Sequence, residues 1–232
     1  MKKYVITSGG ISEKIDNVRK ISNSSSGKLG MTIANHLLES KSDITIYYVC
    51  SKNALRPNNT RVKIIEVAGT LDLKDKVESL LKNEKIDYFI HTMAVADYMV
   101  DYVTTVDKMK KSFLNNSDME VIKDTKISSY ENNLVLVLKP TPKIISLIKK
   151  ESPLTYLVGF KLLDGVSKKE LIDVATRLRD KNRCDLVVAN DLEDIRNKEH
   201  KAYIIDKEDK IVEASDKEDI AKKLVRMMDN ER

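Results

Sequence analysis

The sequence predicts an α/β fold: a Rossmann-like, doubly wound and mostly parallel sheet, with a flexible flap and a C-terminal hairpin plus helix. Three observations predict it. Short apolar, β-branched runs alternate with amphipathic helical stretches along most of the chain. Those runs are nearly continuous in hydrophobicity, as strands buried on both faces are. The first of them, Tyr4-Val5-Ile6, ends in Thr7-Ser8-Gly9-Gly10, small residues at the carboxyl end of a strand, where open parallel sheets bind their ligands.

In order, the polar segment carrying Glu13, Asp16 and Arg19 leads through Asn23-Ser24-Ser25-Ser26-Gly27 into an amphipathic helix from Lys28 to Leu38. Asp43 to Cys50 is an apolar run suited to a buried parallel strand, Arg56 to Asn59 a turn, and Val62 to Val67 a third strand. Leu71, Leu73, Val77, Leu80 and Leu81 recur at helical spacing. Ile86 to Ile90 is a fourth strand, emptying into His91-Thr92-Met93-Ala94-Val95-Ala96-Asp97-Tyr98. Residues 99–125 lack clean periodicity and read as a mobile excursion with room for a short helix, so the flap is set at about 99–126. Leu134 to Leu138 reads as another buried strand, and Pro140-Thr141-Pro142 precedes a helix from Lys143 to Lys150. A strand from Thr155 to Phe160, a helix from Ser167 to Asn182 and a strand from Cys184 to Asn190 continue the rhythm. Ala202 to Asp206 and Lys210 to Glu213 form a closing hairpin. The terminal helix, Asp216 to Met228, sets Ile220, Leu224, Val225 and Met228 on one face.

At 232 residues, 41% apolar and 33% charged, the chain is read as one globular domain over 1–232 with a substantial core. The net charge of +5 is scattered and aromatics are only 5%, which does not compel a nucleic-acid surface; a small polyanionic substrate accounts for the excess equally well. Cys50 and Cys184 read as buried thiols of a reducing compartment, and no metal-ligand spacing links them to His36, His91 or His200. With no signal peptide and no apolar run of bilayer length, a cytoplasmic protein without membrane contact is expected.

The stretch Tyr4 to Gly30 joins a strand, a loop of small hydrogen-bonding residues and a helix N-terminus, which together make an anion site. It is neither G-x-G-x-x-G nor G-x-x-x-x-G-K-[ST], because only Gly27-x-x-Gly30 remains and Leu29 follows Lys28. Loops this long are uncommon in compact domains unless they bind something. Ala94 to Tyr98 stands at a second strand end, where small residues admit a base or ribose and a carboxylate can accept from hydroxyls or help hold Mg²⁺.

The same stretch resembles the phosphopantothenoylcysteine synthetases of coenzyme A biosynthesis. Thr7, Ser8, Gly9, Gly10, Glu13, Ile15, Asp16, Val18, Arg19, Ile21, Ser22, Asn23, Ser25, Ser26, Gly27, Lys28 and Gly30 fit their pattern, with Ile11 in place of the usual Thr and Lys14 where Pro is common. The resemblance continues through Ala94 to Tyr98, Lys126, Leu138 to Ile145, Val158 to Lys161, Lys181 and Ala189 to Asp191, although Leu162-Leu163 replaces a family carboxylate. It implies a bacterial CTP-dependent ligase in the stand-alone form, without the decarboxylase domain. Its members join 4′-phosphopantothenate to L-cysteine through an acyl-cytidylate, with Mg²⁺ accompanying CTP, as homodimers sharing active sites. Ser25, Ser26 and Gly27 would then take the phosphates, and Ala94, Ala96, Asp97 and Phe160 the nucleotide. Lys126 would neutralise charge on the triphosphate or acyl phosphate, and Asn23 would orient the acyl carbonyl. Arg19 would meet the pantothenate phosphate or support the loop.

Two other classes compete. One is a nicotinamide oxidoreductase, for which Tyr203/Lys207 and Tyr48/Lys52 offer Y-x-x-x-K spacing, but in strand-to-turn context instead of on a helix. The other is a non-catalytic nucleotide-binding protein.

Overall fold

The computed structural model describes residues 1–197 and 199–230. The first half runs β1 (Lys2–Ser8), β2 (Ser12–Lys14), β3 (Lys20–Ser22), α1 (Lys28–Ser40), β4 (Ile44–Ser51), β5 (Val62–Val67), α2 (Thr70–Asn83) and β6 (Tyr88–His91). Then come β7 (Tyr98–Thr105), α3 (Val106–Leu114), β8 (Leu134–Pro140), α4 (Ile144–Glu151), β9 (Tyr156–Leu163) and α5 (Lys168–Asn182). β10 (Leu186–Asp191), α6 (Leu192–Arg196), β11 (Ala202–Asp206), β12 (Ile211–Ala214) and α7 (Lys217–Asn230) complete the chain.

Eight strands form the central sheet in the order β12-β11-β10-β9-β6-β1-β4-β5. The six from β5 to β10 are parallel, and β11 and β12 add an antiparallel hairpin at one edge. Read from β5, this is the doubly wound strand order with the hairpin appended. Buried aliphatics of α1 and α7, among them Ile33, Leu37, Ile220 and Leu224, pack with Tyr4, Ile6 and Tyr48 on one face. On the other, Leu73 and Val77 of α2, Ile148 of α4 and Leu171 of α5 pack with Val5, Val49 and Phe89. Both faces are dry, so central strands such as Val5-Ile6 and Phe89-Ile90 are continuously apolar, the pattern that announces them in the sequence.

The excursion departs from expectation. Residues 98–114 are regular: β7 pairs antiparallel with β8 in a separate two-stranded ribbon, with a shift of register between Val100 and Tyr102. Thr105 caps α3 by accepting from the Lys108 amide. Leu134 to Leu138 is correspondingly not a strand of the central sheet. Its residues belong to the ribbon and none is buried. The ribbon is covered only in part: Val103, Thr104 and Thr105 of β7 are buried, while the rest of β7 and all of β8 are half-buried or exposed, so neither strand shows the alternation or continuous burial that sequence periodicity reads. Among residues 115–133 regular structure is limited to a bridge between Ile122 and Val103.

Candidate active site

The sheet's strand order reverses between β1 and β6, which opens a crevice beyond their carboxyl ends. The loops leaving these strands are tied together there: the Ala94 amide donates to the Gly9 carbonyl at 2.9 Å, and the Ile11 amide to the Ala94 carbonyl at 3.0 Å. The chain then turns out through the hairpin β2–β3 and returns across the same place. Gly10 permits that crossing, because a Cβ there would run into the Asn23 carbonyl oxygen. Gly27, at φ +74°, turns the returning loop into α1, and a Cβ on it would stand 2.8 Å from Ser8 Oγ. Ser8 Oγ donates to the Gly27 carbonyl at 3.1 Å, so the start of α1 is held at the end of β1.

This geometry collects most of the residues singled out above. Asn23 Nδ2 donates to the Val95 carbonyl at 3.0 Å and the Asn23 amide to the Ile11 carbonyl at 3.1 Å, which places Asn23 against Ala94–Ala96. Ser25 and Ser26 are exposed, and their hydroxyls accept long bonds, 3.4 and 3.3 Å, from the Gly27 and Lys28 amides. The first turn of α1 carries no acidic side chain to neutralise its positive end. Ala96 is buried and its carbonyl accepts from the Thr141 hydroxyl at 2.5 Å. Asp97 is exposed and ion-paired with Lys143. Phe160 lies on the α1 face of the sheet, beyond the last β6–β9 pair, Ile90↔Val158. Small backbone, hydroxyls and an uncompensated helix N-terminus suit a phosphorylated ligand.

Arg19 and Lys126 are brought together elsewhere, lining a cleft of 460 Å³ with Val18, Ile127, Ser128 and Ser129. It sits at the tip of the β2–β3 hairpin, about 13 Å along the strand from Asn23 at its base. Lys126 is exposed. Arg19 Nη2 donates to Asp16 Oδ2 and to the Ile127 carbonyl, each at 2.6 Å, so part of its guanidinium supports the loop. Arg19, together with the Arg19, Val18 and Ile127 amides, holds the Asp16 carboxyl well below the usual carboxylate range.

Sequence reading missed several supports. Glu13 is buried and accepts from the Thr70 amide at 2.8 Å and the Thr70 hydroxyl at 2.5 Å, anchoring the hairpin at the N-terminus of α2. His91 is buried with Nδ1 2.7 Å from Thr7 Oγ1, and burial pushes its pKa down to about 4. Asp191 accepts from the Gly165 and Val166 amides and caps α6. Asp16 and Asp191 had local signals, the one an Asp three residues before Arg19 in a polar turn and the other an Asp just ahead of a helix. Glu13 and His91 take their partners from distant segments. Among the described residues no helix is long and apolar enough to cross a membrane.

Comparison with known proteins agrees with this architecture. The family described as DNA/pantothenate metabolism flavoprotein C-terminal domain matches residues 1–127 and 115–231. A coenzyme A biosynthesis bifunctional protein CoaBC from Thermococcus kodakarensis is 33% identical over 230 residues, covering 99% of this chain and 48% of its own length. The chain thus spans about half the length of that relative. The crystal structure of a DNA/pantothenate metabolism flavoprotein from Streptococcus pneumoniae is similar over 100% of both chains, with 36% identity and a TM-score of 0.86. The C-terminal domain of a CoaBC protein shares the fold at a TM-score of 0.72 and 22% identity, over 99% of this chain and 94% of that one. Matching residues 1–127 and 115–231, this chain belongs to the DNA/pantothenate metabolism flavoprotein C-terminal domain family.

Proposed function

We propose that the protein is a phosphopantothenate–cysteine ligase of coenzyme A biosynthesis, activating its acid substrate with CTP. The observation that carries this reading is the phosphate seat at the switch point, with Asn23 held against Ala94–Ala96, in a chain of this family. A carboxylate does not condense with an amine directly, because hydroxide leaves poorly. The 4′-phosphopantothenate carboxylate instead attacks the α-phosphorus of CTP; one P–O bond forms and that to pyrophosphate breaks. The L-cysteine amine then adds to the acyl carbonyl, and CMP leaves with the carboxylate oxygen. No protein nucleophile is required, only positioning and positive charge. Amides and hydroxyls at Ser25, Ser26 and Gly27 hold phosphates. Asp97, Ala94, Ala96 and Phe160 flank the nucleotide, and Asn23, whose Nδ2 gives one hydrogen to the Val95 carbonyl, keeps the other to orient the acyl carbonyl as the amine adds.

Among the described residues no group of three or more His, Cys, Asp or Glu side chains is placed to hold a metal. In the proposed reaction Mg²⁺ would arrive with the triphosphate, and the exposed Asp97 is the carboxylate at hand, because Mg²⁺ commonly takes one or two carboxylates plus phosphates. The buried free thiols Cys50 and Cys184 suit the reducing cytoplasm.

Within one chain the Arg19–Lys126 cleft stands apart from the phosphate seat, and the ribbon's Leu134–Leu138 strand has no buried residue. Both features support a homodimer in which ribbons pack together and each cleft completes the partner's seat. The test of the function is product analysis with CTP or ATP, 4′-phosphopantothenate, cysteine and Mg²⁺. Phosphopantothenoylcysteine and CMP are expected; nucleotide binding without product would contradict the reading.

A further inference from the structure

We infer that Asp16 is the positioning residue for both cationic side chains of the proposed site: its carboxylate fixes Arg19 and, through the Ile127 peptide, the segment that carries Lys126. The inference rests on the ligase reading only for the consequence in turnover. The geometry stands by itself. The Asp16 side chain is 1% exposed. Its Oδ1 accepts from the Val18 and Arg19 amides at 2.8 and 2.7 Å, closing the hairpin turn. Its Oδ2 accepts from Arg19 Nε at 3.0 Å, Arg19 Nη2 at 2.6 Å and the Ile127 amide at 3.2 Å. Arg19 Nη2 donates back to the Ile127 carbonyl, so Asp16 and Arg19 hold both polar groups of one residue 111 positions from Asp16. The Asn17 amide adds a bond to the Thr125 carbonyl at 2.9 Å, and the Ile127 side chain is buried. Lys126, between those two tethered residues, is exposed on the cleft.

Five donors on two oxygens require a group that only accepts. Asp16→Asn is therefore a selective change. The amide oxygen can replace Oδ1 and keep the turn, but its NH₂ then faces the guanidinium and the Ile127 amide, donor against donor. The segment should detach while the hairpin remains.

The experiment is amide hydrogen exchange without substrate, together with turnover of Asp16→Asn, Lys126→Gln and the double variant. Asp16→Asn should raise exchange at Ile127 at least 10-fold while amides of α2 are unaffected. It should lower kcat at least 10-fold, and the double variant should lose clearly less than the product of the two single losses, the remainder being the hold on Arg19 that Lys126→Gln leaves in place. Unchanged Ile127 exchange, or losses that multiply in the double variant, would overturn the inference. Should Asp16→Asn fail to fold, Asp16→Glu keeps an acceptor-only carboxylate but moves it by one methylene off the Ile127 amide; it must raise the same exchange, and an unchanged rate also overturns the proposal. If the wild type makes no amide product, the ligase reading fails by itself, and exchange still decides the role of Asp16.

Discussion

Asn23 is exposed, yet its amide is committed, because Nδ2 holds the Val95 carbonyl while the backbone holds Ile11. Asn23→Asp therefore removes a donor and sets a charge beside an acyl phosphate. Activation is expected to survive better than amide formation, so the acyl-cytidylate should accumulate; assays of the separate half-reactions check this, and equal loss of both would leave Asn23 only shaping the loop. Buried His91 makes a second residue-scale prediction. Its pKa of about 4 lies below the ordinary 6.5, so the stability that depends on its neutral form is complete above about pH 6.5 and is lost as pH falls toward 4. The loss is on the order of 3 kcal/mol. Denaturant melts of wild type and His91→Gln should converge as pH falls through that window, and parallel curves would contradict the assignment. Asp16 acts lower: its depressed pKa preserves stability above about pH 4 that acid removes. The backbone-forming residues Gly9, Gly10 and Gly27 were legible in the sequence because small residues at a strand end carry local meaning. Asp16's hold on Ile127 was not, since its partner lies 111 residues away.

The helices and central strands were legible for a related reason. Burial on one helix face or both strand faces imposes a period, and caps such as Ser167 at α5 mark the ends. The ribbon β7–β8 escaped because it is covered only in part, so Leu134–Leu138 imitated a core strand and residues 99–114 imitated a loop. Limited proteolysis should accordingly cut within residues 115–133 and spare β7 and α3; early cleavage between 98 and 114 would contradict the ordered ribbon. CTP should protect the stretch around Lys126. At the start of α1, Gly27→Ala places a side chain at φ +74° and against Ser8 Oγ. The backbone term is about 1–2 kcal/mol, and nucleotide affinity should fall about 10-fold or more in a titration. Unchanged affinity would remove the helix start from the phosphate site.

At the scale of the molecule, the proposed function assigns one half of the chemistry to the switch point of a Rossmann-type sheet and the other to a hairpin tip. The two are separated in one chain and joined, in this account, across a dimer. Mixing Asn23→Asp and Lys126→Gln subunits in equal amounts should then restore up to about one quarter of wild-type activity, because about half the dimers are mixed and each mixed dimer contains one intact composite site of two. No recovery on subunit exchange would mean that each chain closes its own site. The central claim, activation of a carboxylate before amide formation, is tested most directly by single-turnover release of pyrophosphate. Enzyme, CTP, Mg²⁺ and 4′-phosphopantothenate are mixed with cysteine withheld. The account predicts a burst of pyrophosphate stoichiometric with active sites and an acyl-cytidylate retained on the protein. Pyrophosphate that appears only after cysteine is added would contradict it.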